Sequence, residues 1–538
     1  MPYSVREPKP MSSESFASAA ARNQTEVFAV HGADPEVLAY AMAKYSRSAL
    51  SMRESLAEIS AQRAEQFLNT FYFQYGHRSI ADLAHIAFAV ERLSLLAAIL
   101  LVDEQRWDGQ ERSTRYQNFL KSGWYLPDFG ANTAAAQFFT QTVESLFAAY
   151  QRTSTQVLDA LRRRIPCPEG MKPESWERTL RARAFDYARY LLPLATNTSL
   201  GQIVNARTLE IQVSRLLSSP YSEVRELGQK LRDAATGPAY DVRARAGQAF
   251  VEKLSSQPEL AAEAADLLTR EVHTAPTLVK YADANPYQIQ TQAALRQAAA
   301  EFLAKTPIAP APLVDLVERT ESLEVELAAT LIYSVSHHPY RQIRDLVASL
   351  PAARVNQLIE LGIVHRGKHD EALRAFHAGA ALRFDILMDI GGFRDMHRHR
   401  RSTQILQGFT ALHGYETPTH GDLGPDVDLL AEAGALEGYH QAIRQAHSAG
   451  MRIAASGACD APHHALYLLP LATRVRCLFK MDFAEAQYIS ELRSAPAGHF
   501  SYRRVAWEMF RALERQHPTL ARHIRVTDFT KPIDLLQR

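Results

Sequence analysis

The stretch Tyr190-Leu191-Leu192-Pro193-Leu194-Ala195-Thr196 occurs again as Tyr467-Leu468-Leu469-Pro470-Leu471-Ala472-Thr473. Seven consecutive identities that include a proline are hard to produce by chance, so the chain reads as two copies of one unit. The flanks agree. Pro276-Thr277-Leu278, near the end of the first unit, matches Pro518-Thr519-Leu520 near the end of the second, and Arg383-Phe384-Asp385-Ile386 takes the place of Ala87-Phe88-Ala89-Val90. A chain of 538 residues is too long for one ordinary core. The expected division is a disordered segment over 1–25, a first unit over 26–285, a proline-bearing connector over 286–312 and a second unit over 313–535. Two fused copies predict a pseudo-two-fold dimer within one polypeptide.

The second copy carries the densest charge. Between 393 and 401 fall four arginines (Arg394, Arg398, Arg400, Arg401), two histidines (His397, His399) and one carboxylate, Asp395. Guanidinium groups this close repel one another, and an anion relieves that repulsion. Arg394 and Arg398 are spaced to share one helical face. The competing reading is a solvated basic face or a generic nucleic-acid patch. The net charge of the chain is only +1, which argues against wholesale nucleic-acid binding and makes any anion site local.

Other totals describe a soluble globular protein, with 46% hydrophobic and 22% charged residues. The longest apolar stretch, Leu93 to Val102, is too short to span a bilayer, and the N-terminus lacks an apolar signal core. Cys167, Cys459 and Cys477 have no metal-like spacing and no even count, so a reducing cytoplasm is the expected compartment. Cys167, between two prolines, has no evident activating neighbour and reads as a loop thiol.

The first copy places different polar groups. After an expected strand at Val27–Val30 and helices from Pro35 and over 52–71 comes Gly76-His77-Arg78-Ser79, a polar turn in which His77 and Ser79 can face one ligand. Beyond an apolar run lies Glu111-Arg112-Ser113-Thr114-Arg115-Tyr116. In an extended segment Glu111, Ser113 and Arg115 project to one side. A hydroxyl and a guanidinium there suit a phosphate or a ribose, while Glu111 should pair with Arg115 or accept from a ligand N–H or O–H. Helices are expected over 135–165 and 172–192, and another opens at Asn205-Ala206-Arg207.

At these residues the chain resembles the flavin-dependent thymidylate synthase family, ThyX, whose signature is Arg-His-Arg, two residues, Ser, then Glu-x-Ser-x-Arg-Tyr. The two copies divide that signature. The second has Arg398-His399-Arg400 after an expected helix from Asp385 to Met396, with Thr403 at the serine position, and lacks the remainder. The first has Glu111, Ser113, Arg115 and Tyr116, but Asp103-Glu104-Gln105 stands where Arg-His-Arg belongs. Arg189 aligns with Leu466, and Arg493 aligns with Leu216. Asp395 replaces a glutamine usual in the family beside the nucleotide, with Arg394 at hand to neutralise it.

The resemblance implies an α+β fold: two tandem domains, helix-rich overall, each with helices packed on a small, mostly antiparallel sheet. It implies one composite site per chain. Glu111, Ser113, Arg115, Arg189, Arg398 and Arg493 would bind a pyrimidine nucleotide, dUMP, and Arg398, Arg400 and Arg115 would carry catalysis. The flavin, FAD, would contact His77, Ser79, Asn205, Arg207, Arg398, His399 and Arg400. NADPH and methylenetetrahydrofolate would be co-substrates in the reductive methylation of dUMP to dTMP. A homodimer of the two-copy chain would restore the family's four domains, with neither nucleic acid nor membrane as partner. The rivals are a related flavoenzyme acting on another pyrimidine nucleotide and a non-catalytic nucleotide- or flavin-binding protein. A single composite site predicts one flavin per chain, not two, as measured by flavin absorbance against protein concentration.

Overall fold

The computed structural model describes residues 32–44, 78–280, 282–367, 370–419, 422–424 and 427–536. The expected strand Val27–Val30, the expected helix over 52–71 and His77 lie outside them. Among the described residues are two antiparallel sheets, one per copy, embedded in helices. The first has strand order β1 (His85–Ser94), β3 (Asn197–Asn205), β2 (Asp108–Glu111). The second has the same plan with one strand more: β4 (Val314–Leu316), β5 (Leu382–Asp389), β7 (Arg474–Met481), β6 (Thr403–Leu406). Registers correspond. Ser94 lies opposite Asn197 in the first sheet, and Asp389 opposite Arg474 in the second.

Each long strand turns into a short helix through a cap. Ser94 Oγ accepts from the Ala97 N–H to start the helix Leu95–Leu101. Asp389 accepts from the Gly392 N–H to start Ile390–Met396. These caps satisfy donors that a helix start leaves bare. Each capping side chain also meets a partner from a later helix, with the chemistry exchanged. Ser94 Oγ donates to Glu223 at 2.6 Å, whereas Ser501 Oγ donates to Asp389. Gly392 permits the second contact, because a Cβ there would lie 2.5 Å from Ser501 Oγ.

The region expected to be one helix from Asp385 to Met396 is therefore strand, cap and helix. All but one residue of β5 are buried, so the strand shows no polar alternation and its apolar run is ambiguous by periodicity. Helices expected over 135–165 and 172–192 occupy Thr133–Arg164 and Pro173–Ala188, the second continuing as a short 3-10 turn, Arg189–Leu191. Asn205 caps Ala206–Leu217. The expected connector opens with an 18-residue helix, Pro286–Leu303, whose Ala298, Ala299 and Leu303 join an apolar cluster with Ile332, Tyr333 and Leu478 of the second copy. Its prolines cluster only beyond that helix.

The repeated heptapeptides meet. Pro193 and Pro470 form an antiparallel bridge, and the hydrogen bonds around it are reciprocal. Leu194 N–H donates to Leu469 O and Leu471 N–H to Leu192 O; Ala195 N–H donates to Tyr467 O and Ala472 N–H to Tyr190 O. The pseudo-two-fold axis passes through this bridge, the self-complementary arrangement expected of a two-fold contact. Proline has no N–H to donate and sits where none is needed. Leu192, Leu194, Leu469 and Leu471 are almost fully buried and belong to one apolar cluster drawn from both copies. Leu194→Ala and Leu471→Ala should each cost about 2–5 kcal/mol. Because the core is shared, each should lower a single unfolding transition, measurable by calorimetry, rather than one of two.

Candidate functional site

The helix Ile390–Met396 delivers the arginine-rich turn to the face of the first copy. It ends at Met396, so Arg398 lies beyond it, exposed in the turn. Arg394 and Arg398 thus do not share a helical face as their spacing suggested. Arg394 forms an ion pair with Glu111, at the end of β2 in the other copy. The extended arrangement expected for 111–115 also stops at Glu111. Ser113 Oγ accepts from the Arg115 N–H at 3.2 Å, bending the chain, and the two flanking charges part. Glu111 meets Arg394 rather than Arg115.

Arg115 is buried and grips Asp186 through Nε at 2.7 Å and Nη2 at 3.1 Å. Its Nη1 donates to Tyr502 Oη at 3.0 Å and to the Ala497 carbonyl at 3.3 Å, both in the second copy. Burial pushes the Asp186 carboxyl up, but the Arg115 guanidinium overrides it and holds the group far below the usual range. Nothing in the sequence singled out Asp186 or Tyr502; each looks like one more polar position on an amphipathic helix.

Arg189 is 2% exposed and approaches Asp395 at 3.4 Å, while its Nε and Nη2 make no hydrogen bond among the described residues. Asp395 is therefore neutralised by Arg189 of the first copy, not by Arg394 beside it. Arg493 lies over the Tyr502 ring at 5.5 Å, and Arg115 over the same ring at 5.9 Å. Burial raises the Asp395 carboxyl, yet Arg189, Arg398, Arg115 and Arg493 together hold it below its ordinary value. Two arginines from each copy thus act on one carboxylate. Among the described residues, neither Arg398 nor Arg493 has a carboxylate within ion-pair distance.

The residues associated with flavin are more dispersed. His399 is buried with both nitrogens engaged: Arg493 Nε donates to Nε2 at 2.7 Å, so Nδ1 carries the proton toward Glu485 at 3.4 Å. No nitrogen remains for a cofactor, and His399 fixes the turn instead. Asn205 accepts from the Thr208 N–H at 2.8 Å as the helix cap. Arg207 pairs with Asp82 at 3.3 Å and with Glu371 of the other copy at 3.4 Å. Ser79 is exposed. Arg400 fits an anionic or polar group best. It is half-buried over the Trp107 ring at 5.2 Å, and burial brings its guanidinium down to about 10, with Asp103 opposing and Arg374 adding to the fall.

Asp103-Glu104-Gln105 is not idle. Asp103 forms an ion pair with Arg374 of the second copy, and Glu104 pairs with Arg215 at 2.8 Å. His397 Nε2 stands 3.6 Å from Asp103. Gln404 donates its amide to the His399 carbonyl at 2.9 Å and to Ser402 Oγ at 3.1 Å, so its oxygen faces His397 Nδ1 at 2.7 Å and fixes the proton there. Burial lowers His397 to about 4, leaving it neutral with a bare Nε2. The acidic turn of one copy and the basic turn of the other thus face each other in a cleft that also includes Arg400.

Comparison with known proteins finds the Thymidylate synthase complementing protein family twice, over residues 28–237 and 315–519. A UPF0159 protein of Chlamydia muridarum (strain MoPn / Nigg) is 27% identical over 92% of this chain and 91% of its own length. A UPF0159 protein of Thermoplasma acidophilum is 25% identical over 90% and 94%. The flavin-dependent thymidylate synthase of Clostridium tetani is 25% identical over 33% of this chain and 67% of its own. A crystal structure of ThyX from Helicobacter pylori, complexed with FAD and dUMP, is 18% identical over 39% of this chain and 93% of its own, with a TM-score of 0.26.

Arg115 and Arg398 differ in structural weight. Arg115→Ala strands a buried carboxylate and should cost about 3–5 kcal/mol, whereas exposed Arg398→Ala should stay within about 0.5 kcal/mol, both read by urea denaturation. The Asp186 contribution has a definite pH sign. Its folded pKa is depressed, so the stability it confers is present above the unfolded-chain value and is lost as pH falls through the folded one.

Proposed function

We propose a flavin-dependent thymidylate synthase-like reaction for this chain, which belongs to the Thymidylate synthase complementing protein family. In this reading dUMP is reductively methylated to dTMP at one composite site per chain, with FAD bound and with NADPH and methylenetetrahydrofolate as co-substrates. What supports it is the approach of Arg189 from the first copy to Asp395 of the second at 3.4 Å, with Arg115 of the first copy and Arg493 of the second packed over one Tyr502 ring.

Each group then has a separate task. Arg398, Arg493 and the spare N–H groups of Arg189 hold the nucleotide phosphate, where planar forks give both charge and orientation. Arg115 spends four hydrogen bonds on Asp186, Tyr502 and Ala497, out of five available N–H groups. It locks Tyr502 and the second-copy backbone against the first copy, and one N–H remains for the ligand. Glu111 fixes the helix that delivers the turn by holding Arg394. Arg398 and Arg400 would hold the flavin, and Trp107 supports the Arg400 plane. The flavin, when bound, supplies the hydride; the protein supplies position and field. Position 103 carries a carboxylate that is already paired, so the pseudo-equivalent place offers no arginine fork.

Asp395 favours one second reading, a related flavoenzyme acting on a different pyrimidine nucleotide, because a carboxylate among phosphate ligands changes what binds. Titration of dUMP into the purified protein, followed by the flavin spectrum, separates the two. The expected result is saturation at one dUMP per chain, and dUMP-dependent reoxidation of the reduced flavin. Arg398→Ala should weaken dUMP binding at least about 100-fold, the loss of a charge-assisted bidentate contact. A flavin spectrum unmoved by dUMP but moved by another pyrimidine nucleotide would select the second reading. A colourless protein would remove both.

A further inference from the structure

Asp395 is an acceptor surrounded by donors, and the donors outnumber what it can satisfy. Within the cluster the charges are five arginines (Arg115, Arg189, Arg394, Arg398, Arg493) and four carboxylates (Glu111, Asp186, Asp389, Asp395), a net of +1 with all four ionised. Glu111 and Asp186 are each committed to an arginine at close range. Asp395 is held only loosely, by Arg189 at 3.4 Å, and Arg189 keeps two buried nitrogens without hydrogen bonds among the described residues. The Arg189 guanidinium packs over the Gly391 backbone, where a Cβ would come within 3.5 Å of Nη2 and 3.2 Å of Asp389 Oδ1, so it lies between Asp389 and Asp395. An oxyanion seated on Arg189, Arg398 and Arg493 would lie beside a carboxylate.

That neighbour constrains the ligand. An ionised carboxylate accepts hydrogen bonds and donates none. A fully ionised oxyanion is also only an acceptor, so the two would face each other with no proton between them. A phosphate group can keep one proton near neutrality, because its second ionisation lies near pH 6. Sulfate cannot.

We propose that Asp395 makes this site select a protonatable oxyanion, a phosphate monoester bound with one P–O–H donated to the Asp395 carboxylate, over a sulfate of the same size and shape. The inference rests on the arginine cluster being the phosphate site of the nucleotide, and it adds the residue that sets which anion is taken. A hydrogen bond to a charged group is worth about 1.5–3 kcal/mol, and an acceptor left facing an acceptor loses it. Discrimination of at least about 10-fold follows.

The test is isothermal titration of the full-length protein at pH 7 with inorganic phosphate, sodium sulfate and dUMP in turn. Phosphate should bind at least about 10-fold more tightly than sulfate. Asp395→Asn, which keeps the shape and can donate, should bring sulfate within about threefold of phosphate. Arg398→Ala should weaken both ions together. Equal binding of phosphate and sulfate by the unaltered protein overturns the proposal while leaving the nucleotide reading intact, provided dUMP still binds. Discrimination that persists in Asp395→Asn also overturns it. Failure of all three ligands to bind overturns the nucleotide reading and this inference with it. Should Asp395→Asn not fold, the ratio measured on the unaltered protein still decides.

Discussion

Everything else in the molecule hangs on the backbone pairing around Pro193 and Pro470. Four reciprocal hydrogen bonds tie the two heptapeptides, and the flanking leucines close the core over them. Each heptapeptide also receives the start of its own short helix. Leu95 and Leu96 donate to Thr196 and Leu194, and Ile390 and Gly391 donate to Thr473 and Leu471. The dyad therefore fixes where both turns emerge. This explains why the heptapeptide stayed identical while its surroundings diverged: a backbone contact buried on an axis tolerates little change from either side.

Freed from identity, the two turns became complementary. One copy presents Arg398, His399 and Arg400, the other Asp103, Glu104 and Gln105, and Arg374 and His397 lie between them. Unpaired buried charge is expensive, so acid in one copy opposite base in the other lowers the cost of keeping both turns close. Around Asp395 the logic runs differently. Arginines outnumber carboxylates there, and the cluster retains a surplus of positive charge with donors to spare.

Much of this was readable from the residues. The duplication, the helices expected over 135–165 and 172–192 and the helix opening at Asn205 follow from spacing, capping chemistry and internal comparison, whereas the sharing of signature residues between copies is what the family resemblance implies. What could not be read was partnership across the fold. Asp186 sits 71 positions from Arg115, and Tyr502 sits 387 positions from it. No local pattern links them. Along the chain Glu111 has Arg115 near it and Arg394 has Asp395, but the fold pairs Glu111 with Arg394. Strand β5 read as helix because burial on both faces erased its alternation.

The exchanged hydroxyl and carboxyl at the two strand–helix corners carry a consequence of their own. Ser94 meets Glu223, and Asp389 meets Ser501, so both corners keep one acid and one alcohol but take them from opposite elements. Transplanting either corner alone into its sibling would set alcohol against alcohol or acid against acid. The halves are thus no longer interchangeable parts: shuffling between them is barred at this point, and each has become committed to its own place along the polypeptide.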